Sequence, residues 1–250
     1  MAIVYGNPTY TATIATSGLY LHYDAGNVAS YPGSGTTWTD LSGNGYNATI
    51  SGTYAYSSSN GGSIQFNAGV ATDGMAQFQI NNSAFYNAST ITVEMWSKFN
   101  RLNSEMPFGW GPYDVYSPGA TGSENLGFNT AAGDAWGITN SKVVNLGLMG
   151  NWKHYTFIMQ NGVSTGAFTL DNKIYINSQL QTLVNLQGDI SRCTVNNMSF
   201  NTGSGQICGW RNDTGYRMGQ NVGVLRIYNR ELTQKEIFLN FETQRTRFGV

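Results

Sequence analysis

The chain has 250 residues, of which 40% are apolar, and its formal net charge is −1. A net charge this close to zero excludes the extended basic surface that nucleic-acid binding requires, and no run of residues reaches the roughly 18 apolar residues of a membrane span. Charged residues make up only 11% of the chain and glycine supplies 31 residues, which indicates a neutral surface rich in hydroxyl and amide groups, as in many secreted and virion-surface proteins.

Residues 1–17 form a polar, threonine-rich segment that has neither the basic start nor the apolar core of a secretory signal peptide. We predict that this segment is an N-terminal arm. We predict that residues 18–250 form a single domain, because the chain has no long linker and all-β domains often reach this length.

The stretch after the arm begins with residues 19–24, LYLHYD, whose apolar and polar residues alternate and predict a strand. Further on, residues 38–45 combine one tryptophan with turn-forming residue types. We interpret Trp38 as a core residue, and Asp40 and Asn44 as side chains that form turns through hydrogen bonds to the backbone.

The clearest strand is residues 89–99, STITVEMWSKF, because alternation over this length is incompatible with an amphipathic helix. It places Met95 on an apolar face and Glu94, Trp96 and Lys98 on the other. Similar but weaker patterns predict further strands at residues 62–66, 75–80, 152–160, 168–176, 197–202, 205–210 and 216–229. Residues 46–57 and 100–150 are interpreted as short strands with loops.

One good helix is predicted, near the end of the chain. Thr233 and Glu236 have the spacing of a capping box, and Leu232 and Ile237 have the positions of a hydrophobic staple. We expect this helix to direct Ile237, Phe238 and Phe241 towards the core and to end near Arg245. About a dozen short strands with one late helix predict an all-β fold: a two-sheet antiparallel jelly-roll sandwich with a short C-terminal helix.

Several stretches carry a family resemblance. Residues 18–52, GLYLHYDAGNVASYPGSGTTWTDLSGNGYNATISG, resemble the start of laminin-G-like, concanavalin A-like jelly rolls found in bacteriophage and bacterial surface proteins. Four later pieces are similar to the same family: GGSIQFN; ITVEMWSKF; NWKHYTF with KIYINSQL; and VLRIYNRELTQKEIFLNFETQRTRFGV. The resemblance covers about half of the chain, mostly its two ends. Asn67-Ala68 and Ser178 depart from the family pattern, and residues 100–150 and 185–217 match none.

The resemblance implies a non-enzymatic phage virion surface protein, either a capsid decoration protein or a tail-associated protein. Such a protein would be made in the host cytoplasm, would be present in many copies or as a homo-oligomer, and would have other virion proteins and host glycans as partners. The N-terminal arm and a basic C-terminal segment are the expected docking elements. That segment contains Arg211, Arg217, Arg226, Arg230, Lys235, Arg245 and Arg247.

A carbohydrate-binding adhesin is the alternative function, because aromatic side chains in glycine-rich segments can stack on sugar rings. Packing in the fold or in a subunit interface is the favoured explanation of the same residues, because aromatic residues are also enriched at protein interfaces. The candidate ligand-binding residues are Trp110, Tyr113, Tyr116, Trp136, Trp210 and Tyr216.

A glycoside hydrolase is the third and least favoured function. Hydrolysis needs two carboxylates that face each other across a cleft, and Glu94, Glu105, Asp114 and Glu124 show no paired spacing. The two histidines, His22 and His154, lie in predicted strands, where a structural role is favoured over that of a general base. The sequence therefore predicts no enzymatic activity.

No cofactor is expected, with calcium as the alternative left open. Calcium requires clustered oxygen ligands, and the loop acids Asp73, Asp114, Asp134 and Asp213 are dispersed, which favours a role in turns. Cys193 and Cys208 are fifteen residues apart and could pair across a hairpin, but two cysteines do not form a disulfide framework. We favour free thiols.

Overall fold

The computed structural model describes residues 12–69, 71–101, 105–110, 113–117, 124–130, 136–160, 162–164, 171–186, 195–198, 204–209 and 216–250. The strands of the first half are β1 (Leu19–Asp24), β2 (Thr37–Trp38), β3 (Ala48–Ser51), β4 (Tyr54–Ser57), β5 (Ser63–Phe66), β6 (Met75–Phe78), β7 (Thr90–Phe99), β8 (Glu105–Trp110), β9 (Tyr113–Ser117) and β10 (Leu126–Thr130). Those of the second half are β11 (Trp136–Ile138), β12 (Trp152–Gln160), β13 (Gly162–Ser164), β14 (Lys173–Ile176), β15 (Gln179–Leu180), β16 (Val184–Asn185), β17 (Val195–Met198), β18 (Gly205–Ile207) and β19 (Gln220–Tyr228). The helices are α1 (Ser83–Tyr86), α2 (Asn140–Asn145) and α3 (Gln234–Phe248), and a 3₁₀ turn spans Ser59–Gly61.

Two large antiparallel sheets form a sandwich. The eight-stranded sheet has the order β15-β14-β12-β7-β19-β5-β4, with β1 also paired to β19, and the nine-stranded sheet has the order β16-β11-β10-β9-β8-β18-β6-β3-β2. A small third sheet pairs β13 with β17. The predicted antiparallel sandwich is confirmed.

The main core lies between the two large sheets and is rich in aromatic rings. Phe157 of β12 meets Phe128 of β10 edge-on, with ring centroids 6.2 Å apart, so this pair joins the sheets. Tyr23 stacks on Trp38 at 5.2 Å, and both side chains are fully buried. Trp38 is therefore a core residue, as predicted.

The run from Trp38 to Gly45 is held against β1 by hydrogen bonds to backbone groups. The Asp40 carboxylate accepts from the backbone N–H groups of His22 and Ser42, both at 2.9 Å, and from that of Tyr46 at 3.1 Å. Asn44 donates its amide to the carbonyl oxygen of Tyr20 at 3.0 Å. These contacts confirm the turn-forming roles predicted for Asp40 and Asn44.

Helix α3 covers the outer face of the eight-stranded sheet. The predicted capping box is present, since the Thr233 hydroxyl accepts from the Glu236 N–H at 3.3 Å and Glu236 accepts from the Thr233 N–H at 2.9 Å. The predicted staple also forms, because Leu232 and Ile237 pack in one apolar cluster.

The helix differs from the prediction at its end and on its flank. It continues to Phe248, where Gly249 adopts a left-handed conformation with φ of 71° and ends it. Phe238 is 48% exposed, so its predicted core position is wrong. With about 100° of rotation per residue, Phe238 lies on the flank of the face that buries Ile237 and Phe241.

Two short helices, α1 and α2, were not expected from the sequence. Asn82 caps α1 by accepting from the N–H groups of Ala84 at 2.9 Å and Phe85 at 3.2 Å. Each helix has only one buried side chain, Phe85 in α1 and Val143 in α2. Helices of four and six residues are too short for a visible helical periodicity.

The described part of the predicted N-terminal arm contacts the domain. The Ala15 N–H donates to the Asn240 side chain at 2.8 Å, and the Ser17 carbonyl accepts from the Arg230 guanidinium at 3.0 Å. Residues 1–11 lie outside the described residues. Residues 15–17 are thus attached to α3 and to the loop before it.

Candidate functional site

The aromatic residues predicted to bind a ligand are dispersed. Trp110 is only 1% exposed and packs against Phe78, Phe85 and Phe108, with ring centroids between 5.0 and 5.9 Å away. Its prediction as a ligand-stacking residue is wrong, because alternation along β8 points it into the sandwich core.

The other predicted aromatics fall into three groups. Tyr116 and Tyr216 are both half-buried and meet edge-on, with centroids 6.4 Å apart. Trp136 is half-buried in β11. Tyr113 belongs to β9, and Trp210 lies outside the described residues. Among the described residues, the rings of Tyr116 and Tyr216 are in contact, and strand register places Tyr113 opposite Trp110.

Two of the four acids considered for calcium are described, and they have different surroundings. Asp73 is exposed and accepts from the Thr53 N–H at 3.1 Å, and its hydrogen bonds with Thr53 lower its pKa, as expected of a turn-forming side chain. Asp114 is fully buried within β9 rather than in a loop. Asp134 and Asp213 lie outside the described residues. Within the described ranges, no group of three or more His, Cys, Asp or Glu side chains could hold a metal ion.

A row of polar and small residues crosses the outer face of the nine-stranded sheet. Strand register aligns Thr49, Gln77, Gln206, Gly109, Asp114 and Asn129 across six neighbouring strands. Asp114 is the one acid of this row, so the row holds no pair of carboxylates. Gln206 and Asp114 are both buried.

A second polar cluster is buried between the eight-stranded sheet and α3. Glu94, 1% exposed, accepts from the Asn240 amide at 2.7 Å and from the Thr156 hydroxyl at 3.5 Å. The His154 ring nitrogen Nε2 lies 3.6 Å from Oε1 of Glu94, the oxygen that also accepts from Thr156. The buried Arg226 donates to Gln244 at 2.8 Å.

Burial controls the protonation of this cluster. It raises the pKa of Glu94 to about 7, against the opposing effect of the Arg226 charge. It lowers the pKa of His154 to about 3, and the Arg226 charge acts in the same direction. His154 is thus a neutral, enclosed side chain at physiological pH, in line with the structural role expected for it.

An open pocket of 380 Å³ lies where α3 ends against the eight-stranded sheet. Its lining comes from three distant parts of the chain: the 3₁₀ turn, the adjacent ends of β7 and β12 with the turn before β12, and the last residues of α3. The lining residues are Asn60, Lys98, Gly150, Asn151, Trp152, Lys153, Phe248, Gly249 and Val250. This volume is within the range of small-molecule sites.

The half-buried Trp152 is fixed by its neighbours in this pocket. Its indole N–H donates to the side-chain oxygen of Asn60 at 3.1 Å, and its ring lies 4.8 Å from that of Phe248. Phe248 in turn stacks on Trp96 at 4.5 Å with an interplanar angle of 13°. The three rings form a stack that runs from the outer face of the sheet to the pocket.

Arg247 joins the two chain segments that carry Asn60 and Phe248. Its guanidinium makes two bonds to the Asp24 carboxylate, at 2.8 and 2.9 Å, and donates to the carbonyl oxygens of Asn60 and Gly62, both at 3.0 Å. These contacts tie the end of α3 to the 3₁₀ turn and to β1. Arg247 therefore has its charge compensated within the domain.

Other arginines of the predicted docking segment are also used internally. Arg230 pairs with Glu236 at 2.7 Å and Arg245 pairs with Glu242 at 3.0 Å. Arg226 is buried beneath α3, and Arg211 lies outside the described residues.

Sequence reasoning missed this pocket. Trp152 lies in NWKHYTF, which was predicted only as a strand of the fold, and Asn60 and Phe248 are almost two hundred residues apart. One signal was available: alternation places Trp96 and Lys98 on the non-core face of β7, and Lys98 lies directly opposite Trp152.

Of the two cysteines, Cys208 carries a free, fully buried thiol, whereas Cys193 lies outside the described residues.

None of the helices described here combines the length and the apolar character needed to cross a membrane.

Comparison with known proteins agrees with this architecture. A family model described as the concanavalin A-like lectin/glucanases superfamily matches residues 72–238, about two thirds of the chain. No curated protein sequence matches the chain.

Three solved structures illustrate the similarity. The receptor binding domain of botulinum neurotoxin C/D mosaic serotype has a TM-score of 0.60 at 12% identity, over 92% of this chain and 52% of that one. Trypanosoma rangeli sialidase in complex with the inhibitor DANA has a TM-score of 0.63 at 15% identity, over 97% and 35%. The binding domain of Paraclostridial Mosquitocidal Protein 1 has a TM-score of 0.59 at 17% identity, over 90% and 52%.

At these identities the likeness shows the fold alone. The chain spans about half the length of the two binding-domain structures and about a third of the sialidase.

Proposed function

Because the chain belongs to the concanavalin A-like lectin/glucanase superfamily, we propose that it is a carbohydrate-binding surface domain without catalytic activity. The observation that carries this proposal is the pocket lined by Trp152 together with Asn60 and Asn151. Two of the similar structures are named as binding domains, which is consistent with a binding role.

The chemistry of the pocket suits a sugar. The apolar face of a sugar ring packs on an aromatic ring, while its hydroxyl groups need fixed polar partners. The side-chain oxygen of Asn60 accepts from the Trp152 indole N–H, and its amide nitrogen makes only a long 3.5 Å contact with the Arg247 carbonyl oxygen. Asn151 donates its amide to Gly147 and Met149, which leaves its side-chain oxygen to accept from a hydroxyl.

The placement of the acids supports a function without catalysis. A glycosidase needs two carboxylates on either side of one cleft. Among the described residues, four acids are buried: Asp40, Glu94, Glu105 and Asp114. Glu94 is covered by α3 on one sheet; on the other, Glu105 pairs with Arg101 at 2.6 Å and Asp40 accepts from backbone N–H groups. Binding at Trp152 needs no metal ion or cofactor.

The test is a glycan array followed by titration with the best saccharide, using Trp152→Ala and Tyr216→Ala as matched aromatic truncations. We expect Trp152→Ala to weaken binding by about tenfold or more, as for a central contact residue, and Tyr216→Ala to leave it unchanged. Thermal unfolding of each variant checks that the fold is kept. Loss of binding only in Tyr216→Ala would move the site to the Tyr116–Tyr216 pair, and absence of saccharide binding would refute the proposal.

We further propose that this domain works on a phage virion, as a capsid decoration or tail-associated protein present in many copies. The support is the resemblance of the two ends of the chain to phage surface proteins, together with their contact in the fold. Ala15 bonds to Asn240, and Ala15 and Leu19 pack against the apolar cluster of Leu232 and Ile237.

Two deletions test the docking role of the arm. Removal of residues 1–11 keeps the Ala15–Asn240 bond, whereas removal of residues 1–17 also removes the segment attached to α3. If the arm docks on the particle, both deletions leave a folded domain that no longer incorporates into virions. Normal incorporation of the 1–11 deletion would refute docking through those residues, and absence of the protein from purified particles would refute the virion role.

A further inference from the structure

Strand β4 (Tyr54–Ser57) is the longest open edge of the two large sheets in the described part of the chain. Three other edge strands, β2, β15 and β16, have only two residues each. Strand β1 also has an outer side, but there the N–H groups of His22 and Asp24 donate to the side chains of Asp40 and Ser30. Short strands and covered edges are common protections against pairing with another chain, and β4 has neither.

The backbone groups that β4 directs outward belong to Tyr54 and Tyr56. The Asn67 N–H donates to the Thr53 carbonyl oxygen at 3.0 Å, so Thr53 directs its backbone groups towards β5. Because these directions alternate along an antiparallel strand, Ala55 also faces β5, while Tyr54 and Tyr56 face away from it. Within the described ranges, no hydrogen bond from another segment reaches these outward groups.

The surface around this edge has almost no charge. Residues 25–72 contain a single charged side chain, Asp40, which is 8% exposed. The loop at residues 31–35 borders β4, with the ring of Tyr31 5.7 Å from that of Tyr56. A second copy of the chain brings the same charges to the same place, so an edge without charges can meet its own copy without like-charge repulsion.

From these observations we propose that β4 pairs with β4 of a second copy of this chain, so that two eight-stranded sheets join into one. The pairing is antiparallel about a twofold axis at Ala55, an arrangement in which one edge is complementary to itself. Tyr54 of one copy then faces Tyr56 of the other, and the outward N–H and carbonyl groups of the two residues bond to each other.

The proposed pairing also fixes how the two domains face. Side chains keep their alternation between the two faces of a sheet, so the outer faces of the joined sheets form one surface. Both α3 helices and both Trp152 pockets lie on that side. The interface itself is independent of what the pocket binds.

Disulfide trapping tests the register of the pair. The background is Cys193→Ser, in which the remaining Cys208 is fully buried. Ala55→Cys places two thiols directly opposite each other, and Cα atoms about 4.5 Å apart, as in a pair without backbone hydrogen bonds, are within disulfide range. We expect oxidised glutathione to produce a cross-linked dimer of Ala55→Cys but not of Thr49→Cys, an exposed control on an inner strand of the other sheet.

Sedimentation equilibrium tests the interface without a cross-link. Ala55→Lys places two like charges directly opposite each other, whereas Thr49→Lys adds the same charge on the other sheet. We expect dimers of the wild type and of Thr49→Lys, and a dimer dissociation constant at least about tenfold higher for Ala55→Lys. Because the Ala55 side chain is exposed, thermal unfolding should show that Ala55→Lys keeps the fold.

Three outcomes would overturn the proposal. A wild-type protein that stays monomeric at its highest soluble concentration would exclude a second copy as the occupant of the edge and leave it to a strand of a different protein. A dimer that persists unchanged in Ala55→Lys would place the interface elsewhere. Cross-linking of Ala55→Cys no faster than that of Thr49→Cys would exclude the pairing centred on Ala55.

Discussion

Replacing Glu94 by glutamine should change how the stability of the protein depends on pH. The folded protein raises the pKa of this carboxyl from 4.5 to about 7, chiefly through burial. Below pH 4.5 the group is protonated in both the folded and the unfolded chain. Between pH 4.5 and about pH 7 the carboxyl is ionised in the unfolded chain but still protonated in the folded protein. The free energy of unfolding therefore falls as pH rises through the folded pKa.

The size of the effect follows from the shift. The pKa shift of about 2.5 units corresponds to about 3 kcal/mol, at about 1.4 kcal/mol per pKa unit. Between pH 4 and pH 8, the free energy of unfolding of the wild type should therefore fall by about 3 kcal/mol relative to that of Glu94→Gln. The histidines act oppositely: burial lowers the pKa values of His22 and His154 to about 3, so their contribution is lost as pH falls. The His22 contribution cancels in the difference, whereas His154 contacts Glu94 at 3.6 Å, so the comparison is repeated in a His154→Gln background.

Urea unfolding followed by tryptophan fluorescence, at intervals from pH 4 to pH 8, measures this difference. Thr156→Val is the matched control, because it removes the hydroxyl that donates to Glu94 at 3.5 Å and keeps the carboxyl. The control should retain the fall with pH that Glu94→Gln lacks. Parallel wild-type and Glu94→Gln curves would refute the reasoning, since they would mean that Glu94 ionises in the folded protein as it does in the unfolded chain.

Three further predictions concern stability and reactivity. Trp110→Ala should cost about 3–5 kcal/mol in urea unfolding, as for other large core truncations, and a loss below 1 kcal/mol would contradict its core position. Thr233→Ala should cost about 1 kcal/mol by removing the cap of α3, while Thr233→Ser, which keeps the hydroxyl, should cost clearly less. In a Cys193→Ser background, Cys208 should react with a thiol reagent only after unfolding, because burial raises its pKa; labelling of the folded protein at the rate of a free thiol would show that it is accessible.

Features that depend on neighbouring residues in the chain could be predicted from the sequence. The period-2 alternation of residues 89–99 identified β7, and the Thr233–Glu236 spacing identified the start of α3. The roles of Asp40 and Asn44 were also predictable, because both bind backbone groups of a nearby turn or of β1. In each case the geometry within a few residues decides the result.

Features that depend on tertiary contacts could not be predicted in this way. Trp110 lies in a glycine-rich segment that resembles a loop, but β8 turns it into the core. Both faces of β7 are buried because α3, more than a hundred residues later, covers the outer one. The polar residues on that face show no sign in the local pattern that they will be enclosed.

The pocket depends on the same tertiary contact, because α3 supplies one of its walls. Phe248 fits between Trp96 and Trp152 only because residue 223 is glycine: a Cβ there would lie 2.6 Å from the Phe248 ring. The Arg247–Asp24 pair then fixes the end of the helix. A ligand that packs on Trp152 would meet a surface already held in place, so little conformational entropy is lost on binding. The enclosed Glu94 cluster and the pocket are therefore two consequences of the docking of one helix.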